Sequence, residues 1–234
     1  MERKEQIYEG KSKIVFATSD PQKVMVHFKD AATAGDGAQR GIIQGKGEIN
    51  CIFNTIMFRM LEKKGIPTHF IGQISPREML CWRVKIIPIE LIVRNYVAGS
   101  LAKRFGLEEG GKLKKAILEH GLKDDALHDP MVNSWHIFAF GWAGEKEYQK
   151  ISAMSLRVNQ ILKPFFERRG ILLVDFKLEF GKKGGKILLA DEITPDGCRL
   201  WDKATRKKLD KDRFRGDPGG VEESYQEVLA RIQS

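Results

Sequence analysis

Two runs in the last third of the chain, 171–181 (ILLVDFKLEFG) and 186–194 (KILLADEIT), are predicted strands. In the first, Val174, Phe176, Leu178 and Phe180 fall on one face and Asp175, Lys177 and Glu179 on the other. The Gly-rich GKKGGK between the runs predicts a hairpin, which brings Glu179 near the Asp191-Glu192 end of the second strand. Near the start of the chain, residues 6–10, 13–18 and 23–29 read as a meander of three strands parted by GKS and SDPQ. A polar, Gly-rich passage over 29–47 leads into a helix on which Ile49, Ile52, Phe53, Ile56, Met57, Met60 and Leu61 keep helical spacing. Lys63, Lys64, Gly65 and Pro67 end it. Residues 68–74 and 79–96 return to strand, the second piece turning near Pro88.

From Ser100 the pattern shifts to helices over 100–105, 112–119 and 145–169, with Pro164 expected to bend or split the last. The hairpin follows, then an irregular charged stretch. A closing helix carries Val221, Tyr225, Val228, Leu229 and Ile232 on one face after the breakers Pro218, Gly219 and Gly220. These elements predict an α+β chain of two lobes: a strand-rich lobe over 1–87 and a mixed lobe over 88–234, with a cleft where they meet.

Composition narrows the class. A chain of 234 residues, 42% hydrophobic and 30% charged, has the make-up of a soluble globular protein, with no repeat or low-complexity tract. The opening MERKEQIYEG lacks the apolar core of a signal peptide, and no apolar run approaches the ~20 residues that span a bilayer; a cytoplasmic location is expected. Cys51, Cys81 and Cys198 are odd in number and lack metal-type spacing, so reduced thiols are expected. The net charge of +9 attracts either nucleic acid or small polyanions. The densest basic run, 203–215, is broken by two aspartates and lacks the interleaved aromatics that a base-stacking surface needs, with Phe214 alone. A phosphate-bearing small molecule is the better expectation.

Candidate chemistry sits on the predicted strand ends. Carboxylates crowded on a half-buried sheet, as Glu179 and the Asp191-Glu192 end would be, stay ionised only beside a cation such as Mg²⁺ or Lys177; a surface hairpin with solvated charges is the alternative. In YEGKSK (8–13), Gly10 can turn the chain while Lys11 and Lys13, two apart, project over the cleft toward nucleotide phosphates. This is not a Walker loop, and an edge strand bearing lysines gives the same pattern. In IPIELIVRNYVAGSLAKRFG (87–106), Glu90, Ile92 and Arg94 share a strand face, Ser100 suits a helix N-cap and Gly106 closes the helix. Arg94 beside a helix start can grip an oxyanion, or serve as a structural ion pair. Arg199 lies a short turn beyond Asp191 and Glu192, and with Lys177 and Arg215 can neutralise an anionic substrate. Asp36 and Gly37 occupy a loop of small residues, fit for a lid or an ordinary turn. No Ser, His and Asp arrangement forms a nucleophile motif.

The order and wording of YEGKSK, TAGDGAQ (33–39), GKG with Asn50, the 87–106 segment, HDPM (128–131), LLVDFKLEFG (172–181), LADEITPDG.RLWDK (189–203) and LDKDRFR (209–215) resemble the phosphoribosylaminoimidazole-succinocarboxamide synthases, the SAICAR synthetases of purine biosynthesis, over the whole length. The resemblance implies the two-lobed SAICAR synthetase fold, whose nucleotide-binding lobes are similar to those of ATP-grasp enzymes and protein kinases. It also implies ATP- and Mg²⁺-dependent joining of L-aspartate to the carboxylate of carboxyaminoimidazole ribonucleotide (CAIR), through an acyl phosphate. On matching positions, Lys11 and Lys13 would hold ATP phosphates, and Ile86, Ile87 and Pro88 would meet the adenine. Glu179 and Asp191 would bind Mg²⁺, while Arg94, Ser100 and Arg199 would hold CAIR. Asp175, Lys177 and Arg199 would serve catalysis, and Asp36, Gly37 and Arg215 would touch substrate. Similar bacterial enzymes are commonly homodimers, and neither a nucleic-acid nor a membrane partner is implied. A small-molecule kinase using the same ATP parts, and an RNA-binding protein driven by charge, are the competing readings. Two positions depart from the family pattern: Ala31 follows Asp30 where a second acidic residue is frequent, and Cys51 follows Asn50 where Asn is frequent.

Overall fold

In the computed structural model, residues 2–34, 39–213 and 220–234 are described. The N-terminal meander forms β1 (Arg3–Glu9), β2 (Lys13–Thr18) and β3 (Lys23–Phe28), with β1 starting three residues before the strand read from the sequence. Two further strands, β6 (Phe70–Ser75) and β7 (Glu78–Trp82), complete an antiparallel sheet of order β1-β2-β3-β7-β6. Between them run a short ribbon of β4 (Ala31–Ala34) and β5 (Gln39–Ile42), and helix α1 (Lys46–Lys63). The polar passage over 29–47 thus holds two strands that its composition hid. Helix α1 buries Phe53, Met57 and Leu61 completely and Ile49 nearly so, as the 3.6-residue spacing predicts, but Phe58 is buried with them while Ile52, Ile56 and Met60 are only partly covered.

The second sheet is built on β8 (Lys85–Tyr96) and β11 (Ile171–Lys183), which pair antiparallel. Outside β8 lie β9 (Lys112–Leu122) and β10 (Met131–Val132); on the other side, β12 (Lys186–Ala190) and β13 (Cys198–Asp202) share the far edge of β11. Hairpin β11-β12 turns at Gly184 and Gly185, both with positive φ (53° and 75°), the conformation a two-residue turn requires. Further α-helices among the described residues are α2 (Gly99–Phe105), α3 (Ser134–Ala139), α4 (Glu145–Glu167) and α5 (Val221–Gln233).

Four expectations need correction. Residues 112–119 are strand, because β9 pairs with β8 along the register from Ile89↔Leu122 to Tyr96↔Lys112; a buried centre strand with an open edge outweighs the local helical preference of KLKKAILEH. Residues 79–96 are two strands in different sheets, and the chain crosses over at Arg83 and Val84. Pro88 sits inside β8, where the β8-β11 register is interrupted between the Glu179 and Gly181 pairs, so its missing N–H costs no ladder bond. Helix α4 runs unbroken through Pro164, which falls in its last turn. The stretch after the hairpin contains β13, read earlier as irregular.

The sheets meet along a seam. The His69 N–H donates to the Leu189 carbonyl and the Leu189 N–H to the Pro67 carbonyl, both at 2.9 Å. One apolar core runs through both sheets, with Phe53 of α1 stacked on Phe166 of α4 at 6.0 Å between ring centres. All three cysteines are free and buried, and burial pushes the Cys51 thiol up to about 12 and raises those of Cys81 and Cys198, so all three are held as neutral thiols. No helix among the described residues is long and apolar enough to cross a membrane.

Gly47 sits in the first turn of α1, where a Cβ would lie 2.5 Å from the Phe28 carbonyl oxygen and 2.8 Å from Arg77 Nη1. Gly47→Ala is therefore expected to cost about 1–3 kcal/mol by overpacking. Denaturant unfolding checks this, and an unchanged midpoint would contradict the packing described.

Candidate functional site

Strand register lines up the charged residues. On one face of the second sheet Ile117, Arg94, Asp175 and Arg199 form a cross-strand row. Two residues along each strand the row is Glu119, Ile92 and Lys177; two further, it is Gly121, Glu90, Glu179 and Ala190. The period-two alternation read from 171–181 thus delivers Asp175, Lys177 and Glu179 to one surface.

Glu90 and Glu179 stand opposite each other, and cations separate them. Lys177 Nζ donates to Glu90 Oε1 and, at 2.9 Å, to Glu179 Oε1; Lys123 Nζ donates to Glu179 Oε1 at 2.8 Å. Burial raises the Glu90 pKa, and Lys177 offsets part of that rise. Burial would lower Lys177, but Glu179, Asp191 and Glu90 outweigh it and hold the ammonium well above its usual range.

This surface forms one wall of a cavity of about 770 Å³. The other wall is the first sheet. The cavity's apolar part includes Val15, Val24 and Val26 of the first sheet and Ile86 and Pro88 of β8, and its charged end Lys13, Lys123, Lys177, Glu179 and Asp191. Ile87 instead packs in the core. Lys13 and Lys11 both line the cavity but part company. Lys13 Nζ reaches Asp191 Oδ1 and lies 3.5 Å from Glu192 Oε1, whereas Lys11 Nζ reaches out to Asp125 Oδ1 at 2.7 Å on the exposed rim. Burial acts to raise Asp191, yet Lys13 and Lys177 hold its carboxyl below the usual range; burial acts to lower Lys13, yet Asp191 and Glu192 raise it.

Glu179 and Asp191 therefore present two carboxylates to one cavity. Among the described residues no three His, Cys, Asp or Glu side chains are grouped to enclose an ion by themselves. A pair of hard oxygen donors beside a basic pocket fits Mg²⁺, which keeps water and takes the rest of its shell from phosphates.

At the other end of the polar face, Arg94 is bound on all sides. It donates through Nη1 to Asp175 Oδ2 (2.8 Å), through Nη2 to Ser100 Oγ (2.9 Å) and through Nε to Glu119. Arg199 Nη1 reaches both Asp175 oxygens (3.0 and 3.1 Å) and its Nε reaches Asp212 Oδ2 (2.6 Å). Burial raises Asp175 against the lowering by these two guanidinium groups. Ser100 is not the N-cap: Ala98 holds that position, and the Ser100 hydroxyl faces Arg94. Gly106 closes α2 in the left-handed conformation, as expected. Gly99, with φ of 53°, lies where a Cβ would sit 2.5 Å from Arg199 Nη2, so only glycine allows the guanidinium this close.

A third group passes unmarked in the sequence. Lys46 and Asn50 of α1 are fully buried and donate to Asp196 Oδ2 (2.6 and 3.1 Å), while Tyr225 of α5 donates to Asp196 Oδ1 (2.6 Å). Asp196 and Gly197 line the cavity, so α5 braces its floor. Lys123, Asp125, Asp196 and Asp212 also escape sequence reasoning as site residues; only LDKDRFR and LADEITPDG hint at the last two. Ala31 lines the cavity, and Cys51 is buried in the core. Asp36, Gly37 and Arg215 lie outside the described residues.

The sequence model of the family described as SAICAR synthetase matches residues 6–232. The chain is 53% identical over 232 residues to the phosphoribosylaminoimidazole-succinocarboxamide synthase of Clostridium acetobutylicum, covering 99% of each. It superposes with a TM-score of 0.96 on the crystal structure of the enzyme of that name from Ehrlichia chaffeensis, at 47% identity over 98% of each chain. With a SAICAR synthetase in complex with ADP the TM-score is 0.94, at 47% identity over 97% of each chain.

Asp210 is buried beside this group; its Oδ2 accepts from the Leu200 N–H (2.7 Å) and its Oδ1 from the Asp212 N–H (2.8 Å). Burial and the Asp212 charge push it up to about 7. Folded protein therefore holds this proton more tightly than unfolded chain, and the stabilisation is full below about pH 4 and lost as pH rises toward 7. Asp210→Asn should remove a slope of up to about 1.4 kcal/mol per pH unit across that window. Unfolding free energies at several pH values test it; parallel profiles for the two proteins would refute the assignment.

Proposed function

The chain belongs to the SAICAR synthetase family, and from that premise we propose the reaction its cavity performs. It is an ATP-dependent C–N ligase of purine biosynthesis. In the proposed reaction the acceptor is the carboxylate of CAIR and the amine is that of L-aspartate. One observation carries the reading: on a single sheet face, the carboxylate and lysine end of a cavity with an apolar wall adjoins a row of two arginines around Asp175. Asp175 and Glu179 are four residues apart on β11, about 13 Å in an extended strand. An elongated phosphoribosyl substrate along β11 can thus have its phosphate at one end and its carboxylate at the other.

A carboxylate is a poor electrophile because its charge is delocalised and its leaving group is oxide. The proposed route first transfers the γ-phosphoryl group of ATP to a CAIR carboxylate oxygen, releasing ADP. The aspartate amine then attacks the carbonyl carbon of this acyl phosphate; the C–O bond to phosphate breaks and the nitrogen loses a proton. Mg²⁺ bound by Glu179 and Asp191 would supply neutralisation of the nucleotide's phosphate charge. Lys11 and Lys13 exchange their carboxylate partners for phosphates, and the adenine lies against Ile86 to Pro88 with Val15 and Val26 opposite. Lys177 meets the reacting carboxylate, and Asp175 holds Arg94 and Arg199 at the ribose phosphate together with Ser100 and the start of α2. Asp36, Gly37 and Arg215 remain candidates for substrate contact on the strength of the family motifs they belong to.

In this reading residues 1–87 form the nucleotide lobe and 88–234 the lobe carrying metal and substrate. The protein works in the cytoplasm as a homodimer; strongly exposed Trp135 and Phe140 are apolar surface suited to a partner.

Purified protein is expected to release ADP only with CAIR and aspartate both present, which an assay omitting each in turn measures. Release with neither substrate, or never, overturns the reading. ¹⁸O in the CAIR carboxylate should appear in the released phosphate. Glu179→Gln should lower turnover about 10²-fold or more and raise the Mg²⁺ requirement, damaging turnover far more than folding. Normal turnover at normal Mg²⁺ would remove Glu179 from the site.

A further inference from the structure

We propose that Tyr225 and Lys46 are positioning residues for the reaction: through Asp196 they clamp the turn at 194–197 from which Arg199 projects toward CAIR, a role that rests on the reading of Arg199 as a CAIR ligand.

The strand ladder alone does not set Arg199. The β11-β13 register passes from Leu173↔Leu200 to Asp175↔Arg199, so it breaks beside Arg199 itself, with Val174 as the extra residue. What fixes the start of β13 is the turn before it. Gly197 and Cys198 both donate their N–H groups to the Thr194 carbonyl at 3.0 Å, and the Lys177 N–H donates to the Gly197 carbonyl at 3.0 Å. These bonds shape the turn and dock it on β11. Its other side is held through one side chain. Asp196 accepts from Lys46 (2.6 Å) and Asn50 (3.1 Å) at Oδ2 and from Tyr225 (2.6 Å) at Oδ1, so α1 and α5 grip it at both oxygens.

The slot that receives Arg199 has little slack. Nη1 meets both Asp175 oxygens, Nε meets Asp212, and a Cβ on Gly99 would lie 2.5 Å from Nη2. A small displacement of the turn therefore breaks hydrogen bonds on one side or closes on Gly99 at the other. Stability does not account for the clamp. Lys46, Asn50 and Tyr225 are completely buried, and a buried ion pair is often no more stabilising than apolar side chains of similar volume. Asp196 and Gly197 line the cavity, so the clamped turn is part of the wall that a ligand meets.

Tyr225→Phe removes one hydroxyl and keeps the ring. It should lower kcat/KM for CAIR by about 10- to 100-fold, the range that a small misplacement costs a positioned reaction. KM for ATP and calorimetric ADP affinity in Mg²⁺ should stay at wild-type values, because other bonds hold the apolar wall and the Glu179 and Asp191 end. In an Arg199→Lys background, where the bidentate grip is already lost, Tyr225→Phe should cost less than about threefold more. Wild-type CAIR kinetics in Tyr225→Phe, an equal loss of ADP affinity, or losses that simply multiply in the double variant each overturn the proposal. If Tyr225→Phe does not fold, Asn50→Ala, which removes the longest of the three bonds to Asp196, decides by the same comparison. Wild-type protein that neither couples ADP release to CAIR and aspartate nor binds SAICAR in the calorimeter sinks the ligase reading and this role with it, whereas an unaffected Tyr225→Phe beside a working wild type sinks the role alone.

Discussion

Burying charge on a sheet is the constraint from which the rest of this structure follows. Asp175 and Glu179 are 3% and 1% exposed, on a strand whose other face is solid core. An unpaired carboxylate there would be neutralised by protonation or would cost several kcal/mol. The fold meets the constraint by alternating sign across strands: Arg94, Asp175 and Arg199 in one row, and Lys177 between Glu90 and Glu179 in the next two. Removing one member leaves its neighbours buried and unpaired, so the face tolerates exchange of partners better than loss of them.

That property also suits the chemistry. Each cation on the face already has a carboxylate, and an incoming phosphate or substrate carboxylate can take its place without any charge crossing a dry region. The cations are fixed before substrate arrives, which is where electrostatic stabilisation of a transition state gains most. Fixing them takes both sheets. The seam at residues 67–69 and 189 joins the apolar wall to the charged end, and the Lys46, Asn50 and Tyr225 bonds to Asp196 brace the floor from α1 and α5. The carboxylate and lysine end, the arginine row and the apolar wall therefore belong to one packed body.

Much of this was readable in the chain because the signals are local. A period of two over 171–181 assigns Asp175, Lys177 and Glu179 to one face whatever lies beside them, and GKKGGK allows little but a tight turn. The face of α1 and the stop at Gly106 are equally local. Where reading went astray, a distant partner decided. Residues 112–119 have helical spacing and good helix formers, yet the open edge of β8 makes them strand. Ser100 has an N-cap's chemistry, but Arg94 claims its hydroxyl. Lys11 and Lys13 look like a matched pair until Asp125 and Asp191, more than a hundred residues away, draw them apart.

By itself, then, the sequence determined which residues alternate, where strands turn and helices stop, and which short motifs mark the family. Those depend on backbone preferences and on neighbours within a few positions. Only the tertiary structure decided which charge meets which: Lys46 with Asp196, Lys123 with Glu179, Arg199 with Asp212 and Gly99, and the left-handed turn at Asp191. The physical reason is that a charge's partner is fixed by burial and distance in space, and neither is a property of position along the chain.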